Sequence, residues 1–368
     1  METTFQKEAL YAGSFDPITI GHEWVIEKAM EMFDHMHIGI AVNSVKSSFF
    51  SLSDRVDMVE RLIKDKGWDD RVSVLTIETK YAVSVMKEKG IKWLVRGIRN
   101  TVDFEYENNL ININQTISNQ IEHNIETVYL IPPKALSDVS SSVVRGLVGF
   151  EGWETLVKNY VSESIYHQLL KKRLVDMYDI PESVSSDLNE YLSSWRGYHN
   201  IEHIYDMFME LEVYESSINF KYDKETLIWA ILYHDIVYDT QVSDSENVNK
   251  SCEYVLKKYG LFINGIDMSA SFRLIRSTDY SKGKRNLLTD LDLSVLGKPW
   301  EVYEKYTKGV RKEYSWVDDK PFHEGRLKIL ENLLTQKLFH KQYFIEKFEE
   351  QAKANIRREI EILKNLLA

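Results

Sequence analysis

The chain is poor in cysteine: of 368 residues only Cys252 is one, so no disulfide can close within it. That suits a reducing compartment, and a cytoplasmic location is the expectation. Six prolines and 16 glycines are too few for a fibrous or low-complexity chain. No apolar run approaches the roughly 18 residues of a membrane span, and the acidic opening Met1-Glu2-Thr3-Thr4 does not read as a secretion signal, so no membrane is expected as a partner. Excess basic charge is missing too. With 46 Lys and Arg against 57 Asp and Glu the net charge is −11, which argues against a generic nucleic-acid surface. Any bound phosphate must then meet local cations or a metal. What is present is a 43% hydrophobic composition, ample for buried cores, and a length that favours two domains. No internal repeat is visible.

From residue 8 to about 150, short apolar runs alternate with amphipathic segments. Strands are expected at Leu10–Ala12, Ile38–Val42, Val72–Ile77, Trp93–Val95 and Val128–Ile131, with helices near 21–34, 52–66, 81–89, 103–121 and 141–148. This alternation predicts a parallel α/β sheet that binds ligands at the carboxyl ends of its strands. The first such end is Leu10-Tyr-Ala-Gly-Ser-Phe-Asp-Pro-Ile-Thr-Ile-Gly-His22. It reads as strand, tight loop and helix, an arrangement that aims backbone N–H groups and a helix N-terminus at a phosphate. His22 falls in the first turn of that helix, where it can hydrogen-bond phosphate oxygens without acting as a base.

Three further clusters follow later strands. Lys46 stands in the polar loop Asn43-Ser-Val-Lys-Ser-Ser-Phe-Phe50, placed to meet an anion. Arg96-Gly97-Ile98-Arg99 sets two guanidinium groups beside a buried strand, suited to oxyanions. Ser140-Ser141-Ser142-Val-Val-Arg145 caps a helix with hydroxyls facing outward. Together, Gly13-Ser14-Phe15-Asp16-Pro17 with Thr19 and Gly21-His22, the Arg-Gly-Ile-Arg followed by Asp103-Phe-Glu-Tyr-Glu107, and the serine cap resemble the nucleotidyltransferase superfamily, and within it bacterial phosphopantetheine adenylyltransferase, over roughly residues 6–169.

That resemblance implies a Rossmann-like fold and transfer of AMP from ATP, with Mg²⁺, to a phosphorylated small-molecule acceptor, 4′-phosphopantetheine first, giving dephospho-CoA and pyrophosphate. It implies catalytic roles for Ser14, His22, Lys46 and Arg99. Nucleotide contacts would come from Gly13, Ser14, Phe15, His22, Arg96, Gly97, Arg99, Glu107, Ser140, Ser141, Ser142 and Arg145, and acceptor contacts from Ser14, Lys46 and Arg96. A homo-oligomer is also implied. Two departures stand out: Ser47 replaces a second lysine, and Thr76-Ile-Glu-Thr-Lys-Tyr-Ala-Val83 differs from the run that lines the pantetheine arm. The second keeps another acceptor, such as nicotinamide mononucleotide, in view.

Near residue 170 the strand patterns stop, so the domains are taken as 1–170 and 171–368, the second all-α. Tyr198-His199-Asn-Ile-Glu-His203 sets two histidines at i, i+4 on one helical face, His234-Asp235 ends an apolar helix, and Asp290-Leu-Asp292 lies in another apolar run. Charged groups in apolar helices are costly unless paired or metal-bound. The set suits a divalent metal with mixed N and O ligands. The order resembles the metal-dependent HD-superfamily phosphohydrolases over roughly 172–366. This resemblance implies His203, His234, Asp235 and Asp292 as ligands, with His199 and Asp290 as alternatives, for a divalent ion among Mn, Fe, Ni, Co, Mg and Zn that activates water against a nucleotide or small phosphoester. Arg311 and Arg326 are candidate phosphate contacts. Relatives carry a histidine soon after the position of Thr278, where this chain has Asp279-Tyr280; a role confined to metal or nucleotide binding is the alternative. His199-Asn-Ile-Glu-His203 also fits the H-x-x-E-H pattern of zinc peptidases, but the downstream His-Asp and Asp favour the phosphohydrolase.

Overall fold

The computed structural model describes residues 7–42, 47–217, 222–263, 266–280 and 284–368. The chain divides into two compact units, with the division between Arg173 and Leu174.

The first unit alternates β1 (Glu8–Gly13), α1 (Ile20–Met30), β2 (His35–Ala41), α2 (Leu52–Lys66), β3 (Val72–Ile77), α3 (Ala82–Lys89), β4 (Trp93–Gly97), α4 (Thr101–Gln120) and β5 (Glu126–Leu130), followed by α5 (Ser141–Leu147) and α6 (Trp153–Val157); α7 (Glu163–Met177) begins in it and runs past the division. The five strands form one parallel sheet in the order β3-β2-β1-β4-β5. Strand order reverses between β1 and β4, so the crevice that open α/β sheets use for ligands opens at Gly13 and Gly97. The central strand is covered on both faces: Ala9, Leu10, Tyr11 and Ala12 are all buried, which is why it reads as an unbroken apolar run. Leu10, Ala12, Ile77, Leu94, Val85, Met86 and Ile91 form one core cluster, each large side chain worth about 1.5–3 kcal/mol of burial.

Helix boundaries follow their caps. Ser51 accepts the N–H of Asp54 at 3.1 Å to start α2, and Gly67 ends it with φ +66. β1 and β2 begin earlier than their apolar runs suggest. His37 bonds Glu8 at 2.7 Å, and Ser73 of β3 bonds both His35 and His37 at 2.9 Å. Paired polar side chains thus extend the strands beyond the hydrophobic signal.

The second unit is helical (61%). It contains α8 (Glu182–Ser185), α9 (Ile201–Ser217), α10 (Lys224–Tyr233), α11 (Asp244–Tyr259), α12 (Ser269–Ile275), α13 (Leu287–Asp292), α14 (Trp300–Glu313), α15 (Asp319–Leu334), α16 (Gln342–Phe344) and α17 (Glu350–Leu367). Besides its helices it holds a short antiparallel ribbon, β6 (Phe262–Ile263) with β7 (Ile266–Asp267), too brief to leave a period-2 pattern in the sequence. Two glycines decide how α14 packs. A Cβ on Gly197 would lie 2.3 Å from the Gly309 carbonyl oxygen, and one on Gly309 would lie 2.6 Å from that of Gly197. Only glycine at both positions lets these backbones touch, which sets Glu313, one turn beyond Gly309, against Tyr198 and His199. A second anchor is the buried Asp187 carboxylate, which accepts the hydroxyls of Tyr233, Tyr254 and Tyr259 at 2.8 Å each and pairs with Lys258.

Candidate functional site

In the first unit the loop after β1 is held from several sides. Phe15 takes a left-handed backbone (φ 45), uncommon for a bulky residue and typical of strained functional loops. Its buried ring packs edge-on against Tyr11 and His22, with centroids at 5.3 and 5.2 Å. Gly13 lies against that ring, Ser14 is exposed, and both face the crevice end of β1. His22 is the third helical residue after the cap Thr19. Its Nδ1 accepts the Thr19 backbone N–H at 3.0 Å and lies 2.9 Å from the Thr19 hydroxyl. Because Nδ1 accepts, the ring proton of the neutral form sits on Nε2. Burial, with Arg99 adding to it, lowers the His22 pKa to about 4. At neutral pH His22 is therefore an uncharged donor.

The arginine pair is fixed by its own partners. Arg96 donates to the Ala12 carbonyl at 2.9 Å and pairs with Glu107 at 3.2 Å, which brings Glu107 to the crevice. Burial raises the Glu107 pKa against the opposing pull of Arg96. Arg99 forks onto Asp103 at 2.8 and 3.1 Å and reaches the Val139 carbonyl at 2.9 Å. In the serine cluster, Ser140 caps α5 by accepting the Val143 N–H at 3.2 Å. Ser141 donates to the Pro17 carbonyl at 2.7 Å, and Arg145 donates to the Asp16 carbonyl and to Ser142. The structure thus brings Gly13, Ser14, Phe15, His22, Arg96, Gly97, Arg99, Glu107, Ser140, Ser141, Ser142 and Arg145 around one crevice. Lys46 lies outside the described residues.

Two residues here escape sequence reasoning. The buried Asp16 carboxylate accepts the N–H groups of Phe49 and Phe50 at 2.9 and 2.8 Å, tying the loop after β1 to the chain leaving β2. Arg55, 2% exposed, donates to the carbonyls of Ser14 and Ala41 at 2.7 and 3.0 Å. An arginine in an amphipathic helix reads as surface; only its place on the apolar side of α2, with Met58, Val59 and Leu62, hints otherwise.

The second unit gathers His203, His234, Asp235 and Asp292. The Nε2 atoms of the two histidines lie 3.3 Å apart. Asp292 is 3.2 Å from His203 and 3.9 Å from His234, and Asp235 is 3.1 Å from His234. Ligand atoms of His203, His234 and Asp235 fall within 4.8 Å of one another. His234 donates Nδ1–H to the Ile231 carbonyl at 2.9 Å, which turns Nε2 to the cluster, the ring orientation that metal-ligating histidines use. Burial opposes ionisation of Asp235 and Asp292, but the neighbouring histidines hold Asp235 well below the usual carboxylate range and lower Asp292 as well. The same carboxylates outweigh burial at His234 and raise it to about 9, while at His203 burial prevails and lowers it. Two carboxylates and two imidazole rings in mutual contact are a mixed N and O set of the kind that suits a divalent cation.

The alternative ligands behave differently. His199 is not on the helical face it was expected to share with His203. Asn200 caps α9 through the N–H groups of Glu202 and His203, so His199 lies in the turn before the helix. Its Nδ1 is held by Glu313 at 2.8 Å, and its ring stacks on Tyr238 at 3.9 Å. Asp290 is corrected to a structural role: its buried carboxylate accepts the N–H groups of His340 and Lys341, each at 2.7 Å. Arg311 is committed to Asp319 and two carbonyls, and Arg326 to Glu359 and Tyr306. Sequence reasoning missed Glu313, whose Oε1 also accepts the N–H groups of Tyr198 and His199 at 2.8 Å, and Tyr280, whose hydroxyl donates to Asp292. Beside the cluster lies a cavity of about 640 Å³, walled by aromatic side chains including Tyr198, Tyr238, Tyr306 and Tyr314.

The parallel α/β fold of the first unit is that of a nucleotidyltransferase, and residues 10–147 match the cytidylyltransferase-like family. Over 164 residues the chain is 37% identical to phosphopantetheine adenylyltransferase of Chromobacterium violaceum, covering 45% of this chain and 96% of that protein. Over 165 residues it is 41% identical to the Streptococcus agalactiae enzyme of the same name, again 45% and 96%. Over its first ~165 residues the chain belongs to the phosphopantetheine adenylyltransferase family. Among solved structures, Plasmodium falciparum nicotinic acid mononucleotide adenylyltransferase complexed with NaAD aligns with a TM-score of 0.38 at 16% identity, over 47% of this chain and 99% of that one. The helical unit rests on its own geometry. No helix among the described residues is long and apolar enough to cross a membrane.

Proposed function

We propose that the first unit transfers AMP from MgATP to 4′-phosphopantetheine, giving dephospho-CoA and pyrophosphate. The observation that carries the reading is the neutral, Nε2-protonated His22 at the helix N-terminus, set in a crevice with Arg96, Arg99 and Arg145. An oxygen of the acceptor phosphate attacks the α-phosphorus, the bond to the bridging β-oxygen breaks, and pyrophosphate departs. No covalent enzyme intermediate is needed. The chain's part is to hold both phosphates in line and to stabilise charge on their oxygens. His22 donates Nε2–H to a phosphate oxygen without exchanging a proton. Arg99, oriented by Asp103 and Val139, and Arg145, oriented by Asp16, supply fixed positive charge. Lys46 is assigned to the phosphates exchanged in the reaction.

Incubating the full chain with MgATP and 4′-phosphopantetheine should yield dephospho-CoA and pyrophosphate. A second acceptor is favoured by one observation. The segment leaving β3 carries the exposed Glu78, Thr79, Lys80 and Tyr81 where the family's acceptor wall differs. Product with nicotinamide mononucleotide and none with phosphopantetheine would replace the first reading by the second.

For the second unit we propose a metal-dependent phosphohydrolase with a divalent ion held by His203, His234, Asp235 and Asp292. When bound, the ion would supply Lewis acidity and activated water. The chain's residues fix the ligands: Ile231 sets the His234 tautomer, and Arg196 donates to the carbonyls of His199, Asp235 and Ile236, holding the His-Asp segment in place. The aromatic cavity next to the cluster would receive the organic part of a nucleotide or small phosphoester. Metal analysis of the purified chain, and of a His234→Ala, Asp235→Ala double variant, tests it. Unchanged metal content in the variant would reject the ligand set. The hydroxyl of Tyr280 on Asp292 favours the alternative of a binding module, since it occupies one carboxylate oxygen; metal binding with no turnover of any phosphoester would select that reading.

A further inference from the structure

A second cavity in the helical unit shares no lining residue with the one beside the metal cluster. It measures about 360 Å³ and lies between α11 and α12, lined by Cys252, Glu253, Leu256, Leu261, Phe272 and two arginines, with Ser269 at its edge. The floor is apolar: Cys252 is 3% exposed and Phe272 is 5% exposed. Burial raises the Cys252 thiol to about 11, so it serves as an inert apolar surface and not as a nucleophile. The rim is formed by Arg273 and Arg276, three residues apart on one helical edge and both exposed. Among the described residues neither guanidinium is engaged by a hydrogen bond or a salt bridge, although the chain carries a surplus of 11 negative charges. The apolar walls Leu256 and Leu261 are 46% and 48% exposed.

We propose that this cavity binds a small amphipathic anion: a carboxylate or phosphate on a short apolar body. The anionic group is clamped by Arg273 and Arg276, and the body lies on Phe272, Cys252 and Leu256. Charge complementarity selects the occupant. Within the lining two arginines face one carboxylate, Glu253, while Asp267, outside it, also feels Arg273; guanidinium binds carboxylate and phosphate in the same forked geometry. An uncharged apolar molecule would leave both arginines unused. A dianion without an apolar body would leave the floor wet. The site is separate from the proposed metal site, because its lining includes no residue of the cluster or of the cavity beside it.

Calorimetric titration of the full chain in EDTA with hexanoate, hexyl phosphate, hexanol and inorganic phosphate tests the proposal. Saturable binding of at least one of the two amphipathic anions is expected, and which of them binds identifies the headgroup. Hexanol and inorganic phosphate should bind at least tenfold more weakly. Arg273→Ala with Arg276→Ala, both surface changes that spare the fold, should weaken the anion by at least tenfold. Leu256→Trp should fill the cavity and abolish binding while the anion-binding arginines remain. The proposal is overturned by absence of saturable binding to both anions, by equal affinity in the double arginine variant, by undiminished binding in Leu256→Trp, or by hexanol binding as well as the anions.

Discussion

His22 offers the sharpest test of the crevice, because its two ring nitrogens do different work. Nδ1 accepts the Thr19 N–H and so completes a capping box at the start of α1, while Nε2–H is left for a ligand. Alanine at 22 removes both functions. It strands the Thr19 N–H, which costs about 1–3 kcal/mol, and it removes a donor to charged phosphate oxygen, a loss of about 10²–10³ in kcat. Glutamine at the same position can still accept from the cap and still offer an N–H. His22→Gln should therefore keep stability within about 0.5 kcal/mol while losing only part of the rate. The titration follows from the same geometry. At about 1.36 kcal/mol per unit, a shift from 6.5 to about 4 amounts to roughly 3 kcal/mol, lowered to ~2 by the partial exposure of the ring. Protonation favours the unfolded chain, so this stability is full above pH 6.5 and is lost as pH falls from 6.5 through 4. Chemical denaturation of the first unit's transition, wild type against His22→Gln, should diverge in that window. NMR titration of the His22 ring should give a pKa well below 6, and pyrophosphate release should show no acid limb near 6.5 attributable to this residue. A His22 pKa near 6.5, or an acid limb at that pH that vanishes in His22→Gln, would refute the assignment of a neutral donor.

Three other outcomes are expected. Arg55→Met should destabilise the first unit by about 2–4 kcal/mol, since the Ser14 and Ala41 carbonyls lose a buried partner; urea denaturation reads it, and a raised KM for ATP should accompany it as the Ser14 loop loosens. Asp292→Asn should weaken Mn²⁺ binding at least tenfold in equilibrium dialysis, by about the cost of one charged ligand. Asp290→Asn should leave it within about twofold while lowering stability by ~1–3 kcal/mol. Gly309→Ala drives a Cβ against the Gly197 carbonyl, so a loss of about 1–3 kcal/mol is expected, together with an altered His199 ring signal as Glu313 is pushed away.

What could be seen in the sequence was whatever periodicity and local chemistry encode. The strands are legible as short apolar runs, most plainly β1, which is covered on both faces, and Gly13, Arg96, Gly97 and Arg99 draw attention because they sit at or just past the carboxyl ends of β1 and β4. His35 and His37 hid the start of β2, because polar residues paired across strands imitate a loop. Arg55 was hidden because a buried arginine and a surface arginine have the same letter. His199 was misplaced by one turn, since i, i+4 spacing fits a helix whether or not Asn200 caps it first. Glu313 could not be found at all: it is 114 residues from His199, and only the Gly197–Gly309 contact brings them together.

The carboxylate of Asp16 and the Ser141 and Arg145 bonds to the Asp16–Pro17 carbonyls close a circuit through segments as far as 129 residues apart in sequence. A loop fastened in this way has already lost its freedom when the chain folds. Under the proposed function, a nucleotide arriving at Gly13 would meet a surface that needs no further ordering, so little of the contact energy would be given up as entropy. Cutting any one fastening should therefore register first as weaker ground-state affinity, and a series of single cuts should weaken it by steps, a graded response that distinguishes a rigid receiver from one that closes on its ligand.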